Sequence, residues 1–424
     1  MKSWLKYLNK SKFISKVSQK SFSDIFSHLP KLPPDAIFGL VTAFNQDTNP
    51  KKISLSAGTY KDDDNQPYIL QCVRKAQEIH LNKKMDMEYL GIDGHPSFIK
   101  NSLKIAYTED NKSLKNGEIA GIQTLSGTGA LYIGMKFLKD SYKVSDTILL
   151  PDPTWPNHMG VASLAGLKTQ KYRYYDLKNS KLDLNGYLED LDKAPNGSIV
   201  LLHSCAHNPT GMDPTHDEWL QIFKVLKKKN HLAFFDNAYQ GFASGDLDKD
   251  AWAIRHYAAD GNRMFLCQSY AKNFGLYGQR VGCFSAVNKS KEETEIIMGH
   301  LKSIARRMYS NPPKYGAQIV DIVLNDPALY QTWKDDLVLM SSRIQDMRFA
   351  LHKNLIETGS KINWDHITKQ IGMFAYTGLN KDQVLKLRKE ESIYFTEDGR
   401  ISISGLNTKN VKRVAECFHN VTKH

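Results

Sequence analysis

Short apolar runs alternate with longer amphipathic segments between about residues 120 and 325 of this sequence. Apolar runs of about four to eight residues are typical of strands buried on both faces, whereas apolar residues three and four apart indicate helices. Strands are predicted at residues 121–125, 147–150, 198–203, 231–235, 263–267 and 282–287, and two of the helices between them at 217–229 and 250–259. This alternation predicts an α/β fold with a mainly parallel sheet.

The pattern changes after about residue 325, where long helical patterns replace the alternation. Two amphipathic segments, residues 328–358 and 407–421, lie on either side of a short strand-like stretch near residues 373–376. A short helix is also predicted near the N-terminus, around Leu40 and Phe44. The C-terminal region is therefore predicted to form a second, smaller domain.

The composition excludes several classes of protein. Of the 424 residues 41% are hydrophobic and 24% charged, which argues against wholesale disorder. No apolar run approaches the ~20 residues of a membrane-spanning helix, so no integral membrane association is expected. The five cysteines are scattered without a CxxC pair, so neither a disulfide scaffold nor a cysteine-rich zinc module is expected.

The formal charge of +12 suggests at first a negatively charged partner such as nucleic acid or a membrane surface. Half of it lies in residues 1–23, which contain six lysines and no acidic residue. Such a basic, Ser-rich, amphipathic segment is typical of a mitochondrial transit peptide and predicts a protein of the mitochondrial matrix. If the segment is instead a solvated lysine-rich tail, the protein is cytoplasmic. Beyond residue 24 acidic and basic residues interleave, so no nucleic-acid-binding surface is predicted.

Four of the predicted strands are followed by polar, turn-forming residues. The segments are DPTW (152–155), HNPTG (207–211), DNAY (236–239) and SYAK (269–272). In parallel α/β sheets ligands bind outside the carboxyl ends of the strands, so these segments are expected to meet at one edge. The sequence therefore predicts a site there.

Three features of this edge suggest chemistry. The segment SGTGA (126–130) opens an apolar helix whose first N–H groups could bind a phosphate, although a plain strand–turn–helix cap explains it equally well. Lys272 would be a nucleophile toward carbonyls if it is desolvated, and an ordinary surface lysine if it is not. Asp236, at a buried strand end, requires a cation such as a protonated heterocyclic nitrogen, and Tyr239 adds a phenol.

His203, Cys205 and His207 alternate and would share one face of an extended strand. A zinc site needs a further ligand at suitable spacing, and the sequence offers none. We expect these residues to pack or to support neighbouring groups, and no metal site is predicted.

Seven longer motifs make the sequence resemble a known family. They are SGTGA (126–130), PTWPNH (153–158), CAHNPTG (205–211), FFDNAYQGFASGD (234–246), QSYAKNFGLYGQRVG (268–282), MYSNPP (308–313) and DGRIS (398–402). From about Pro33 to its C-terminus the chain resembles the aspartate aminotransferases, pyridoxal-phosphate (PLP) enzymes of fold type I, and among them the mitochondrial eukaryotic form.

The resemblance implies a domain organisation. Residues 67–325 would form a large PLP-binding domain, with a mainly parallel seven-stranded sheet and helices on both faces. Residues 30–66 and 326–424 would form a smaller α+β domain, after a transit peptide and N-terminal arm in residues 1–29. Two copies would form a homodimer with shared active sites.

The resemblance also implies how the cofactor is held. Lys272 would form an aldimine with PLP and then move a proton between the substrate and the cofactor. Asp236, supported by His158, would pair with the pyridinium nitrogen, and Trp155 would stack on the ring. The remaining implied ligands are Tyr239 and Asn208 for the phenolic oxygen, and Ser126, Gly127, Thr128, Ser269, Arg280 and Tyr89 of the partner subunit for the phosphate.

Substrate recognition would depend on two arginines. Arg400 would bind the α-carboxylate and Arg306 of the partner subunit the side-chain carboxylate, because a planar guanidinium pairs with carboxylates in a bidentate manner. Gly58, Trp155 and Asn208 would lie beside the substrate. The implied reaction is reversible, ping-pong transfer of the amino group from L-aspartate to 2-oxoglutarate, giving oxaloacetate and L-glutamate.

The sequence departs from the family at four positions without losing an implied catalytic group. Arg307 stands where Pro is common and Pro156 where Gly is usual, and Asn237 and Tyr132 also differ.

One alternative is an aromatic or kynurenine aminotransferase, in which Arg306 swings aside. A nicotinamide-dependent dehydrogenase is disfavoured because SGTGA lacks the third glycine of a dinucleotide fingerprint. An alternative outside enzymology is a basic membrane- or nucleic-acid-binding protein, which would use the formal charge of +12 to bind its partner.

Overall fold

The computed structural model describes residues 26–31, 36–56 and 58–423. The transit peptide predicted over residues 1–23 lies outside these ranges. Within them, no helix is both long and apolar enough to span a membrane.

A seven-stranded sheet lies at the centre of the larger part of the molecule. The strands are β1 (Ile53–Ser54), β2 (Ile119–Leu125), β3 (Thr147–Asp152), β4 (Lys168–Arg173), β5 (Tyr175–Asp176), β6 (Lys181–Leu182), β7 (Ile199–His203), β8 (Leu232–Asn237), β9 (Met264–Ser269), β10 (Val281–Val287), β11 (Phe374–Tyr376), β12 (Ile393–Tyr394) and β13 (Arg400–Ser402). Seven of them form one sheet in the order β2-β10-β9-β8-β7-β3-β4. Only β10 runs antiparallel to its neighbours, which confirms the prediction of a mainly parallel sheet.

Helices cover both faces of this sheet. The helices of the described residues are α1 (Ala36–Gln46), α2 (Gln71–Asn82), α3 (Pro96–Tyr107), α4 (Lys112–Lys115), α5 (Ser126–Ser141), α6 (Asn157–Ala165), α7 (Leu184–Lys193), α8 (His216–Lys228), α9 (Leu247–Asp250), α10 (Trp252–Ala259), α11 (Lys291–Met308), α12 (Lys314–Asn325), α13 (Pro327–Glu357), α14 (His366–Lys369), α15 (Lys381–Glu391) and α16 (Val411–Thr422), and seven of them pack on the sheet. Phe234 packs with residues of α5, α6 and α11, and Phe235 packs on the opposite face with residues of α3, α7, α8 and α10. Burial on both faces explains why the strands are continuous apolar runs.

Segments from both ends of the chain pack together beside this sheet. Strand β1 pairs with β12 in parallel, and β11 pairs with β13 antiparallel. The long helix α13 contacts α2, α12 and α16, and their apolar faces share one core. This second region lies beside the carboxyl edge of the sheet and brings Arg400, the first residue of β13, to it.

Two predicted helices begin later than expected. The segment predicted from residue 407 becomes helical at Val411, because the Asn407 side chain accepts hydrogen bonds from the N–H groups of Lys409 and Asn410 and holds a turn there. The helix predicted from residue 250 begins at Trp252, since Asp250 ends the short helix α9.

Candidate active site

The polar segments that follow the strands surround one cavity of about 250 Å³. Every residue predicted for the site except Tyr89 and Arg306 lines it. The predicted residues in the lining are Gly58, Ser126, Gly127, Thr128, Trp155, Asn208, Asp236, Tyr239, Ser269, Lys272, Arg280 and Arg400. The fold thus brings together residues from widely separated parts of the chain.

The sheet topology explains this convergence. Strands β3, β7, β8 and β9 are parallel, so the segments after them emerge at the same edge. Strand β2 is antiparallel to β10, which is antiparallel to β9, so Ser126 at the end of β2 reaches that edge as well. Arg280 immediately precedes β10 and enters the same region from the opposite direction.

Asp236 is held by a buried histidine. His158 Nε2 lies 2.9 Å from Asp236 Oδ2, and the other ring nitrogen lies 2.8 Å from the Thr154 hydroxyl. Burial raises the pKa of Asp236, but the hydrogen bond and the positive potential of His158, with smaller effects of His203 and Lys272, outweigh burial and lower it overall. The carboxylate is therefore ionised at neutral pH, as a partner for a cation requires.

Lys272 lies close to Tyr239 in the same cavity. Its Nζ is 5.0 Å from the centroid of the Tyr239 ring. Burial lowers the pKa of Lys272, Asp236 raises it and Arg280 lowers it further, with a net decrease. The amine is therefore easier to deprotonate than a surface lysine, which favours a nucleophile or a base. Burial raises the pKa of Tyr239, so its phenol remains a hydrogen-bond donor.

One end of the cavity is suited to an anion. Helix α5 begins at Ser126, and its first residues present backbone N–H groups there. The hydroxyls of Ser126 and Ser269 lie 3.1 Å apart, and a Cβ added to Gly127 would lie 3.1 Å from the Ser269 Cβ. Arg280 adds a guanidinium at the exposed rim. These donors match the needs of a phosphate group.

Arg400 provides a second cation, on the side of the cavity formed by β11 and β13. It is 4% exposed, and its guanidinium carbon lies 4.3 Å from the centroid of the Phe374 ring. One terminal nitrogen donates to the Ser56 carbonyl at 3.2 Å, while Nε has no hydrogen-bond partner among the described residues. Burial lowers the pKa of Arg400, yet a guanidinium stays charged at neutral pH. The Arg400 guanidinium is therefore available to bind a carboxylate.

Two further histidines near Asp236, His203 and His207, are neutral at neutral pH. Burial lowers the pKa of His203 to about 3 and also lowers that of His207. His158, His203 and Asp236 have ligand atoms within 4.8 Å of one another, but His158 already bonds to Asp236. Cys205, which the sequence placed on the same face, is not part of this group.

Tyr89 and Arg306 do not line the cavity of their own chain. Tyr89 is 84% exposed. Arg306 is exposed near the end of α11 and donates to the Ser310 hydroxyl at 2.5 Å. Its neighbour Arg307 donates instead to the backbone carbonyl of Ser303, one turn earlier in the same helix, at 3.0 Å.

Several lining residues were not predicted. Tyr277 and Phe374 are the largest, and the Tyr277 hydroxyl accepts a hydrogen bond from the backbone N–H of Tyr60 at 2.8 Å. Tyr277 lies within a quoted motif, but the motif gave it no chemical role. Phe374 lies in the predicted short strand, and only the packing of that strand against the cavity reveals its position.

Comparison with known proteins defines the class. The family model "Aminotransferase class I and II" matches residues 50–418, and the chain belongs to this family. It is 48% identical over 401 residues to the mitochondrial aspartate aminotransferase of Gallus gallus, covering 95% of each chain. The structure of aspartate aminotransferase from the cytoplasm of Saccharomyces cerevisiae aligns with a TM-score of 0.92 at 44% identity, covering 95% of this chain and 99% of the other. The aromatic-amino-acid aminotransferase of Burkholderia pseudomallei, covalently bound to pyridoxal phosphate, aligns with a TM-score of 0.91 at 38% identity, covering 94% and 99%.

Proposed function

We propose that this chain is an aspartate aminotransferase that transfers the amino group of L-aspartate to 2-oxoglutarate, giving oxaloacetate and L-glutamate. The observation that carries the proposal is one cavity holding an ionised Asp236, an amine of lowered pKa at Lys272 and the buried cation Arg400. The identity to relatives named aspartate aminotransferase supports the choice of substrate.

The donors around the cavity fit PLP. The start of α5, the two serine hydroxyls and Arg280 suit a phosphate, and Asp236 suits a protonated pyridine nitrogen at the other end. Asn208 is 8% exposed, and its Oδ1 has no hydrogen-bond partner among the described residues, so this buried acceptor is available to a donor group of a ligand. Asn208 and Tyr239 would hold the phenolic oxygen and Trp155 would cover the ring.

The protein side groups would then carry the proton transfers. PLP, when bound, supplies a conjugated ring that accepts the electron pair of the breaking Cα–H bond. Lys272 Nζ would take the proton from the substrate Cα and deliver it to the cofactor. In the second half-reaction it would move a proton in the reverse direction. Asp236 keeps its negative charge through the reaction because His158 holds it with a hydrogen bond. Each half-reaction uses the same groups, so the two substrates bind in turn in a ping-pong sequence.

Arg400 would hold the α-carboxylate of the substrate through a charge-assisted pair. Gly58 leaves room there, since a Cβ at this position would lie 3.4 Å from the Phe374 ring. We assign the second carboxylate of aspartate to Arg306 of the partner subunit.

A homodimer would complete the site. Tyr89 and Arg306 are exposed and do not line their own cavity, as expected of residues that act in a neighbouring copy. A groove of about 320 Å³ beside Arg306 is lined by four apolar or aromatic residues and two cations, and Leu164 is 75% exposed; the six are Tyr132, Lys136, Leu164, Ile304, Arg307 and Met308. An apolar rim of this kind is suited to burial against a second copy.

The domain division and the compartment belong to the same proposal. Residues 30–66 and 326–424 would form the smaller domain, supported by the pairing of β1 with β12. Residues 67–325 would form the larger one. The name of the Gallus gallus relative and the basic segment 1–23 support a mitochondrial location, with the cytoplasm as the alternative.

The reaction itself tests the proposal. Purified protein supplied with PLP should develop a visible absorption band and form oxaloacetate from aspartate and 2-oxoglutarate. Turnover of aspartate should exceed that of phenylalanine measured in parallel. A strong preference for phenylalanine would instead assign the chain to the aromatic enzymes, and a protein that stays colourless with PLP would contradict any PLP-dependent function.

A further inference from the structure

A buried arginine on helix α13 has no role in the chemistry described so far. Arg348 is 0% exposed, and its guanidinium donates only to backbone carbonyls: Ile367 at 3.1 Å, Gly372 at 2.7 Å and Phe374 at 2.5 Å. No carboxylate of the described residues offsets the charge, and burial alone lowers the pKa of Arg348 to about 9. A buried cation compensated by dipoles alone costs free energy that an apolar side chain would not.

The three carbonyls belong to one segment, residues 367–374, which begins inside α14, turns, and ends at the first residue of β11; it is called the turn below. The turn packs against the loop that carries Asn208. The N–H of Ile371 donates to the Gly211 carbonyl at 2.7 Å, and a Cβ on Gly372, where φ is +82°, would lie 2.4 Å from the Ala206 Cβ. A planar guanidinium can direct several N–H groups at fixed angles, so one side chain fixes three carbonyls of this turn at once.

The end of the turn supports the proposed substrate-binding arginine. Phe374 places its ring 4.3 Å from the Arg400 guanidinium carbon. Within the described residues the Arg400 guanidinium has few other restraints, since one nitrogen donates to Ser56 and Nε has no partner. The position of the Phe374 ring therefore sets much of the orientation of Arg400.

We propose that Arg348 is a positioning residue for substrate binding, which acts by fixing the turn 367–374 so that Phe374 holds Arg400 in the orientation that receives the α-carboxylate. This inference rests on the proposed function, because it uses Arg400 as the carboxylate ligand. Arg348 does not itself line the cavity, and its guanidinium donates only to the turn. Its main effect should appear in carboxylate affinity, with a smaller effect on cofactor affinity through the contact between the turn and the loop that carries Asn208.

Two substitutions at different points of this chain of contacts test the proposal in the holoenzyme. R348K keeps a charge but cannot reach all three carbonyls, and F374L keeps an apolar side chain but removes the ring beside Arg400. Both should raise the KM for aspartate by about five- to tenfold. The dissociation constant for succinate, a dicarboxylate that has no amino group to transfer, should rise by the same factor. Because Arg400 would hold the carboxylate in the ground state and the transition state alike, kcat should change by less than about twofold.

A matched arginine controls for general destabilisation. Arg413 on α16 also donates to backbone carbonyls, of Lys51 at 2.8 Å and Glu391 at 2.6 Å, and in addition to the Glu391 carboxylate at 3.3 Å, but does not contact the turn. R413K should leave the KM, the succinate affinity and the PLP affinity within about twofold of wild type. Succinate binding is measured by calorimetry, which needs no turnover, and PLP affinity by absorption.

The outcomes distinguish a failure of the positioning role of Arg348 from a failure of the proposed function. Unchanged succinate affinity in both R348K and F374L would overturn the positioning role while leaving the proposed function intact. A parallel loss of succinate and PLP affinity in R348K and R413K alike would overturn it too, because that pattern is general destabilisation. If the wild-type holoenzyme neither transaminates aspartate nor binds succinate, the proposed function fails, and the inference fails with it.

Discussion

The two groups of predicted site residues are held in different ways. Asp236, His158 and Arg400 are buried and fixed by hydrogen bonds or ring contacts within one chain. Tyr89 and Arg306 are exposed and lie outside the cavity of that chain. If Tyr89 and Arg306 act in a second copy as proposed, the fold of one chain preorganises most of the cofactor subsite and the α-carboxylate subsite, and the partner completes the phosphate and side-chain carboxylate subsites.

This difference has energetic consequences. Substitution of a buried site residue changes both stability and chemistry, because its charge is balanced by its immediate neighbours. Substitution of an exposed residue should leave the stability of the chain unchanged and alter only the reaction. Measuring the two quantities together shows whether the two groups are as distinct as the structure indicates.

The largest effect is expected at Lys272. K272A should lower kcat by more than about 10⁴-fold, since the same amine acts as nucleophile and base. The visible absorption of the covalently bound cofactor should disappear as well. Oxaloacetate formation measures the first effect and absorption the second. K224A, which changes an exposed lysine on α8, should keep wild-type activity; a K272A enzyme within tenfold of wild type would contradict the assignment.

Arg306 and Arg307 should differ strongly although they are adjacent. R306A should lower kcat/KM for aspartate by about 10²- to 10³-fold, through loss of a charge-assisted bidentate pair. R307A should change it by less than about threefold, because that guanidinium bonds to its own helix. Thermal unfolding should not change in either variant. A larger effect of R307A would assign the substrate carboxylate to the second arginine.

Mixed dimers test whether the exposed group acts across subunits. K272A and R306A homodimers should both be nearly inactive, but a hybrid contains one site with both substitutions and one with neither. After unfolding and refolding an equimolar mixture, about half of the dimers are hybrids, so about a quarter of wild-type activity should return. No recovery would place Arg306 in its own chain's site.

Individual residues show which parts of the fold and of the candidate site could be predicted from the sequence alone. The strand Ile199–His203 was predictable because burial on both faces makes its first four residues apolar, and Asn208 followed because carboxyl ends of parallel strands converge. Tyr89 and Arg306 were identified by resemblance alone, since no local pattern distinguishes them. Arg348 and Phe374 could not be found, because their contacts join segments that only the folded chain brings together.

Two carboxylates provide a finer test of the buried group. Asp213 accepts from the N–H groups of Ala206 and His207 on two different oxygens, at 2.6 and 2.8 Å, and so holds the loop that carries Asn208. In D213N the new amide N–H₂ would face one of these N–H groups. The PLP dissociation constant should therefore rise by about tenfold, the cost of one unsatisfied hydrogen bond. Absorption titration with PLP measures it.

Asp250 is the matched control for that substitution. It also holds a site loop, but Gly241, Ala243 and Ser244 all donate to the same oxygen, Oδ2, at 2.8, 3.1 and 3.2 Å. An asparagine can accept all three bonds on its single carbonyl oxygen, so D250N should keep PLP affinity within about threefold of wild type. Equal losses in D213N and D250N would show that charge, and not hydrogen-bond geometry, holds both loops.

A last test separates charge from geometry at Asp250 through its pH dependence. Burial raises the pKa of Asp250 to about 7, above its ordinary value of 3.8, so the folded state binds this proton more tightly than the unfolded state. The resulting stabilisation is complete below about pH 4 and is lost as the pH rises through 7. Between pH 5 and 8 the unfolding free energy of wild type should therefore fall by about 2 kcal/mol more than that of D250N.

Urea unfolding of the holoenzyme at each pH measures the difference. The control is D248N, which replaces an exposed carboxyl on the same short helix and is expected to follow wild type. Parallel curves for wild type and D250N would mean that the Asp250 carboxylate is solvated well enough to titrate normally, and that the distinction between buried and exposed groups does not extend to this loop.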